Sequence, residues 1–127
     1  MADAKSDYLE NKILDHVLKN TSYTSPAAVY CALYTAAPSD SGGGTQVTGG
    51  SYARQAVTFS TASSGESHNT ADIVFTLMPA ATVTHFGIFD ASTSGNLLYW
   101  GAFSASKTTT SGDTLTIPSS GLSISEL

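Results

Sequence analysis

The side chains best able to do chemistry in this chain are three histidines and one cysteine, set among abundant Ser, Thr and Asp. His16, His68 and His85 fall on a predicted helix, in a loop and on a strand, and no two have the short spacing of a metal-ligand pair. Cys31 is the single cysteine, which excludes an internal disulfide and a multi-cysteine zinc site. It lies in Val29-Tyr30-Cys31-Ala32-Leu33 with no cation near in sequence to stabilise a thiolate, so it reads as a small buried hydrophobe on a strand. A Ser-His-Asp combination is available by chance, but no Gly-x-Ser-x-Gly elbow supports it.

Two loops imitate ligand motifs and fail the comparison. Asp90-Ala91-Ser92-Thr93-Ser94-Gly95-Asn96 places oxygens at alternate positions with Gly at the sixth, as in a calcium loop. The twelfth position, where a bidentate Glu is required, is Gly101. A hairpin turn accounts for the same residues, because Asp, Ser, Gly and Asn supply local hydrogen bonds and positive φ. Gly42-Gly43-Gly44 is followed by Thr45-Gln46 and lacks the Lys of a phosphate loop. The expectation is a protein that is not an enzyme, with no metal site and no cofactor; an uncharacterised hydrolase stands well behind.

What remains is surface. Tyr8, Tyr23, Tyr30, Tyr34, Tyr52, Tyr99 and Trp100 could include a carbohydrate-stacking platform, although tyrosines on alternating strands serve equally as core or subunit interface. His85, in Val83-Thr84-His85-Phe86-Gly87-Ile88-Phe89-Asp90, reads as a half-buried strand histidine bonded to the next strand or to a subunit neighbour. Leu97-Leu98-Tyr99-Trp100-Gly101-Ala102-Phe103 is apolar on both faces, so one face must be covered by the N-terminal helix or by another subunit.

The elements that position these residues follow from periodicity. Leu9, Ile13, Leu14, Val17 and Leu18 repeat at three- and four-residue spacing and predict one helix over 7–19. Asp7 is its expected N-cap, Glu10 completes a capping box, Lys19 lies at the negative end of the dipole, and Asn20 is the stop. After Pro26 the period changes to two. Strands are expected at Ala28 to Tyr34, Tyr52 to Ser60, Ile73 to Leu77, Thr82 to Asp90, Leu97 to Phe103, Thr114 to Ile117 and Leu122 to Ser125.

Seven short strands separated by turns predict an all-β, antiparallel β-sandwich of jelly-roll or Ig-like type over 28–125, with one N-terminal α-helix. The inward positions are Val29, Cys31 and Leu33; Val57 and Phe59; Ile73, Phe75 and Leu77; Leu115 and Ile117; Leu122 and Ile124. Ser39 to Ser51 and Thr61 to Thr70 read as exposed flexible loops. One domain spans 1–127, since a chain of this length folds around a single core.

Composition excludes several classes of partner. Apolar residues make up 41% and charged residues only 12%, which favours a folded domain over disorder. The net charge is −5, and Lys5, Lys12, Lys19, Arg54 and Lys107 do not cluster, so direct nucleic-acid binding is not expected. No apolar run approaches the roughly 20 residues of a membrane span. Met1 to Asp7 is polar and lacks an apolar signal core, so the chain is expected to be made and used in the cytoplasm.

Several ordered motifs carry a resemblance. Thr82 to Asp90, a Ser/Gly turn and Gly95-Asn96-Leu97-Leu98-Tyr99-Trp100-Gly101 resemble the "GIFDA…GNLLYWG" hairpin of small tailed-phage virion proteins. Ser6 to Lys12, Val29 to Pro38, Gly50 to Val57 and Ser111 to Leu115 extend the likeness over most of the chain. The C-terminal Ser123-Ile124-Ser125-Glu126-Leu127 departs from the more Thr- and Asp-rich ending of those proteins.

Proteins of that family are often labelled tail-fibre proteins, and similar small β-domains serve as capsid decoration or cement proteins, usually as trimers. The resemblance therefore implies a structural part of a tailed-phage virion, assembled in the bacterial host cytoplasm. The leading expectation is a capsid-decorating cement protein, a homo-oligomer, as a trimer, on the major capsid protein. The alternative is a tail-fibre or tail-tip module joined to tail proteins and involved in host attachment. The expected subunit or partner interface is Leu9, Ile13 and Val17 on the helix with His85, Phe86, Tyr99, Trp100 and Phe103 on the hairpin.

Overall fold

In the computed structural model, which describes residues 3–126, the chain runs as strand β1 (Asp3–Lys5), helix α1 (Asp7–Leu18), then β2 (Val29–Ala36), β3 (Thr45–Gln46), β4 (Gln55–Val57), β5 (Glu66–His68), β6 (Ile73–Met78), β7 (Ala81–Phe89), β8 (Leu97–Thr109), β9 (Asp113–Ile117) and β10 (Ser123–Ser125). Met1, Ala2 and Leu127 of the expected 1–127 domain lie outside the described residues.

Every strand pairing is antiparallel. The large sheet has the order β1-β8-β7-β2-β3, with β4 also pairing β2, and two ribbons, β6-β9 and β5-β10, complete the fold. This is the expected sandwich-like all-β fold, with one helix and ten strands rather than seven among the described residues.

Alternation along β2, β7 and β8 gives the large sheet two apolar faces. On one face Cys31, Leu33, Phe86 and Ile88 join Ile73, Phe75, Leu115, Ile117, Leu122 and Ile124 from the ribbons in the main core. Full burial of such side chains contributes roughly 1.5–3 kcal/mol each, which makes this contact the main reason the ribbons stay on the sheet. On the other face Ala32, Tyr34, Phe89 and Leu97 form a smaller cluster, with Trp100 packed against it. Cys31 is fully buried, as expected, and burial pushes its thiol up to about 12.

Helix α1 begins at Asp7, as its periodicity predicts, but its cap lies one residue before the expected one. Ser6, not Asp7, is the N-cap, its hydroxyl accepting from the Leu9 N–H at 3.2 Å. Ser6 is itself fixed to β8, donating its N–H to the Leu98 carbonyl at 2.9 Å and its hydroxyl to the Leu97 carbonyl. The long-range pairing of β1 with β8 thus decides where the helix starts, and the Asp7/Glu10 capping box does not form. Lys19 is the C-cap rather than a helical residue, and Asn20 at φ 60 ends the helix as expected.

Other departures follow from bulges and from short strands that lack an apolar signature. The register of β6 on β9 shifts between Phe75 and Met78. The bulge turns Leu77 outward, at φ 51 and 57% exposed, and Met78 takes the core position expected of it. Strand β8 continues past Phe103 to Thr109 because β7 keeps pairing with it, through Ala81 to Val83, although residues 104–108 are exposed and, Ala105 apart, polar. Neither presumed flexible loop is wholly so. Ser39 to Ser51 contains β3 and the buried Val47, and Thr61 to Thr70 contains β5 and the fully buried Asn69.

Asn69 is the polar pin between the β5 segment and the last two strands. Its amide nitrogen donates to the carbonyls of Ala71 and Pro118, each at 2.9 Å, and its oxygen accepts from the Leu122 N–H at 2.9 Å. Removing it strands buried backbone groups. Asn69→Ala is expected to lower unfolding stability by about 3 kcal/mol, whereas Leu77→Asn should change it by less than about 0.5 kcal/mol; urea denaturation of both variants measures the contrast.

Candidate functional site

The structure divides the eight expected interface residues among different surroundings. Leu9 is 5% exposed and Phe86 is fully buried, so both are covered within the chain itself. Phe103 is half-buried beside Phe86, ring centres 5.6 Å apart, and Tyr99 also packs against the main core. His85 and Trp100 belong to the opposite face, their rings 6.3 Å apart. Ile13 is half-buried, whereas Val17 is exposed together with Leu14 and Leu18, which sequence reading did not place at the interface.

His85 is half-buried as expected, but its ring Nδ1 bonds the hydroxyl of Thr84, its own strand neighbour, at 2.8 Å, and not the next strand. Its backbone lies between Tyr34 of β2 and Ala102 of β8, and its imidazole occupies the second face. Trp100 is fixed there by a bond from its indole N–H to Asp40 Oδ1 at 2.9 Å. The covered face predicted for β8 is therefore served by the chain's own Asp40 loop and by α1, which packs on β8.

The face is flat enough for this packing because of Gly87. A Cβ there would lie 3.0 Å from Leu97 Cδ1 and from Tyr34 Cε1, and 3.2 Å from Phe89 Cε1. Larger residues would lift those rings off the sheet.

The β7–β8 turn takes the hairpin form expected of it. Asp90 accepts from the Asn96 N–H at 2.7 Å and from its side-chain amide at 2.9 Å, and Ser94 and Gly95 supply φ 52 and φ 76. Among the described residues no group of three or more His, Cys, Asp or Glu side chains could hold a metal ion. No helix among them is long and apolar enough to cross a membrane.

One residue that composition alone left as a scattered cation organises this end of the molecule. The Arg54 guanidinium lies 3.6 Å from the ring centre of Phe89 and donates to the carbonyls of Ser94 at 2.7 Å and Ala91 at 3.1 Å. It also donates to Gln46 Oε1 at 3.2 Å. Gln46 in turn donates to the Tyr52 hydroxyl at 2.8 Å, which accepts the Leu33 N–H at 3.0 Å and whose ring stacks on Phe75. The turn is thereby tied to β3, β2 and the main core by one chain of hydrogen bonds. Only its long-range geometry reveals the role; in sequence, Arg54 is marked just by its place in the Gly50 to Val57 motif.

A comparison with known families runs along almost the whole chain. The family described as podophage GP4 fiber I protein gp80 matches residues 4–125. The chain belongs to that family. As a member of the podophage fiber I family it is a phage structural protein of the virion, in agreement with the coarser part of what the hairpin motifs imply. Among curated proteins, none matches the chain.

If Arg54 holds the β7–β8 turn in place, Arg54→Ala should cost about 2 kcal/mol of stability, the scale of hydrogen bonds to a charged donor. It should also raise amide exchange at residues 91–96 above that of residues 66–68, which hydrogen-exchange mass spectrometry would measure.

Proposed function

We propose that this domain is a non-enzymatic structural module of a podophage tail fibre and takes part in attachment to the host. The observation that carries the reading is the family match, which covers residues 4–125 and so applies to the whole domain rather than to one motif. It supports the tail-fibre alternative over the capsid-decoration expectation. Within this reading no side chain has a catalytic duty.

A fibre module must be joined to copies of itself or to other tail proteins. The surface that supports such joining is the exposed side of α1, where Leu14, Val17 and Leu18 are 53%, 63% and 73% exposed. These positions share one stripe of the helix, and burying them between subunits would remove their apolar surface from water. The module is accordingly a homo-oligomer, as a trimer, with α1 at the contact and tail proteins as its further partners.

Electron microscopy of particles labelled through an antibody to this chain tests the location. A few copies at the tail are expected; label over the head shell in hundreds of copies would restore the capsid-decoration reading. The oligomer is tested by sedimentation of the purified protein, where Val17→Asp should shift the trimer to monomer without loss of the β-sheet circular dichroism.

A further inference from the structure

A cavity of about 470 Å³ opens between the start of α1, the Asp40 loop and the β7–β8 turn, a volume within the usual range for small-ligand sites. Tyr34 lines it from below and is only 4% exposed. Its hydroxyl hydrogen-bonds no described residue, yet it is not sealed from solvent, so it opens on the cavity. A phenol placed so deeply that bonds no described residue is unusual for a purely structural tyrosine. Burial raises its pKa, which keeps it a donor at neutral pH.

The other polar groups of the cavity are acceptors with free capacity. Asp40 uses Oδ1 for the Trp100 indole, and no described residue bonds its Oδ2. Asn96 gives its amide nitrogen to Asp90, which fixes its carbonyl oxygen as the free group. Asp7 is exposed and pairs with no cation among the described residues. Tyr8 and Phe89 supply aromatic walls.

From these groups we infer that the cavity is a binding site for one ring of a neutral sugar. Two carboxylates would repel an anion, and an apolar guest would desolvate them without compensation. A hydroxylated ring presents donors to Asp7, Asp40 and Asn96, an acceptor to Tyr34, and apolar C–H edges to the aromatic walls. The sugar site deepens the fibre reading and rests on it for its use in host attachment, not for its chemistry.

The test is nitrogen-edited NMR of the full chain titrated separately with glucose, galactose, rhamnose and N-acetylglucosamine. At least one sugar is expected to move the Trp100 indole and Asn96 amide signals saturably. Tyr34→Phe, which removes only the unbonded hydroxyl, should leave the melting temperature in place and weaken that sugar roughly fivefold. Failure of all four sugars to move the signals overturns the site, as does undiminished binding by Tyr34→Phe. Equal movement by calcium or ammonium chloride would make it a cation site and overturn it too. Tail-located particles with no sugar response would sink the sugar site alone; sugar binding by a shell-located protein would sink the fibre reading alone.

Discussion

A single guanidinium holds together parts of this fold that are far apart in sequence. Arg54 stands on the way into β4, yet its bonds reach the β7–β8 turn, the side chain of Gln46 on β3 and the ring of Phe89. A cation in this place is favoured twice, by the negative ends of two carbonyls and by the face of an aromatic ring. Because Gln46 passes the connection on to Tyr52, and Tyr52 to the backbone of β2, the turn cannot move without disturbing a half-buried tyrosine and the core ring it stacks on. Hydrogen bonds linked in this way support one another more strongly than isolated ones.

Around that link the domain separates its duties between the two sides of the large sheet. One side is committed to the ribbons and gives the fold its stability. The other carries Tyr34, Phe89, Leu97 and Trp100, a thinner layer that rests on Gly87 and is bounded by polar loops. The thinner layer leaves space for a cavity, and Ser6 and Asp40 set its rim by bonding α1 and the Asp40 loop to β8.

Much of the fold was legible because it rests on local period. The spacing from Leu9 to Leu18 marks α1, and alternation marks β2, β7 and the start of β8. The rest depends on partners distant in the chain. Nothing in Asp3-Ala4-Lys5 signals a strand until β8 is beside it, and the same holds for Thr45-Gln46 and Glu66-Ser67-His68. Leu77 has the right residue type and parity for the core but loses both to a bulge. At the candidate sites, His85 and Trp100 were recognised and do share a face, whereas Phe86 and Leu9 proved to be interior. Arg54, Asp40 and the unbonded Tyr34 hydroxyl were not legible, since their significance is purely one of three-dimensional neighbourhood.

The large sheet ends in very short strands, β1 with three residues on one side and β3 and β4 with two and three on the other. Beyond β1 the rim of β8 runs through exposed Ser104, Ser106 and Lys107. The short border strands offer little backbone for a foreign strand to add to, and on the exposed rim of β8 a lysine discourages the attempt. The consequence is protection against aggregation: two copies that meet do so through side chains, without fusing into a common ladder.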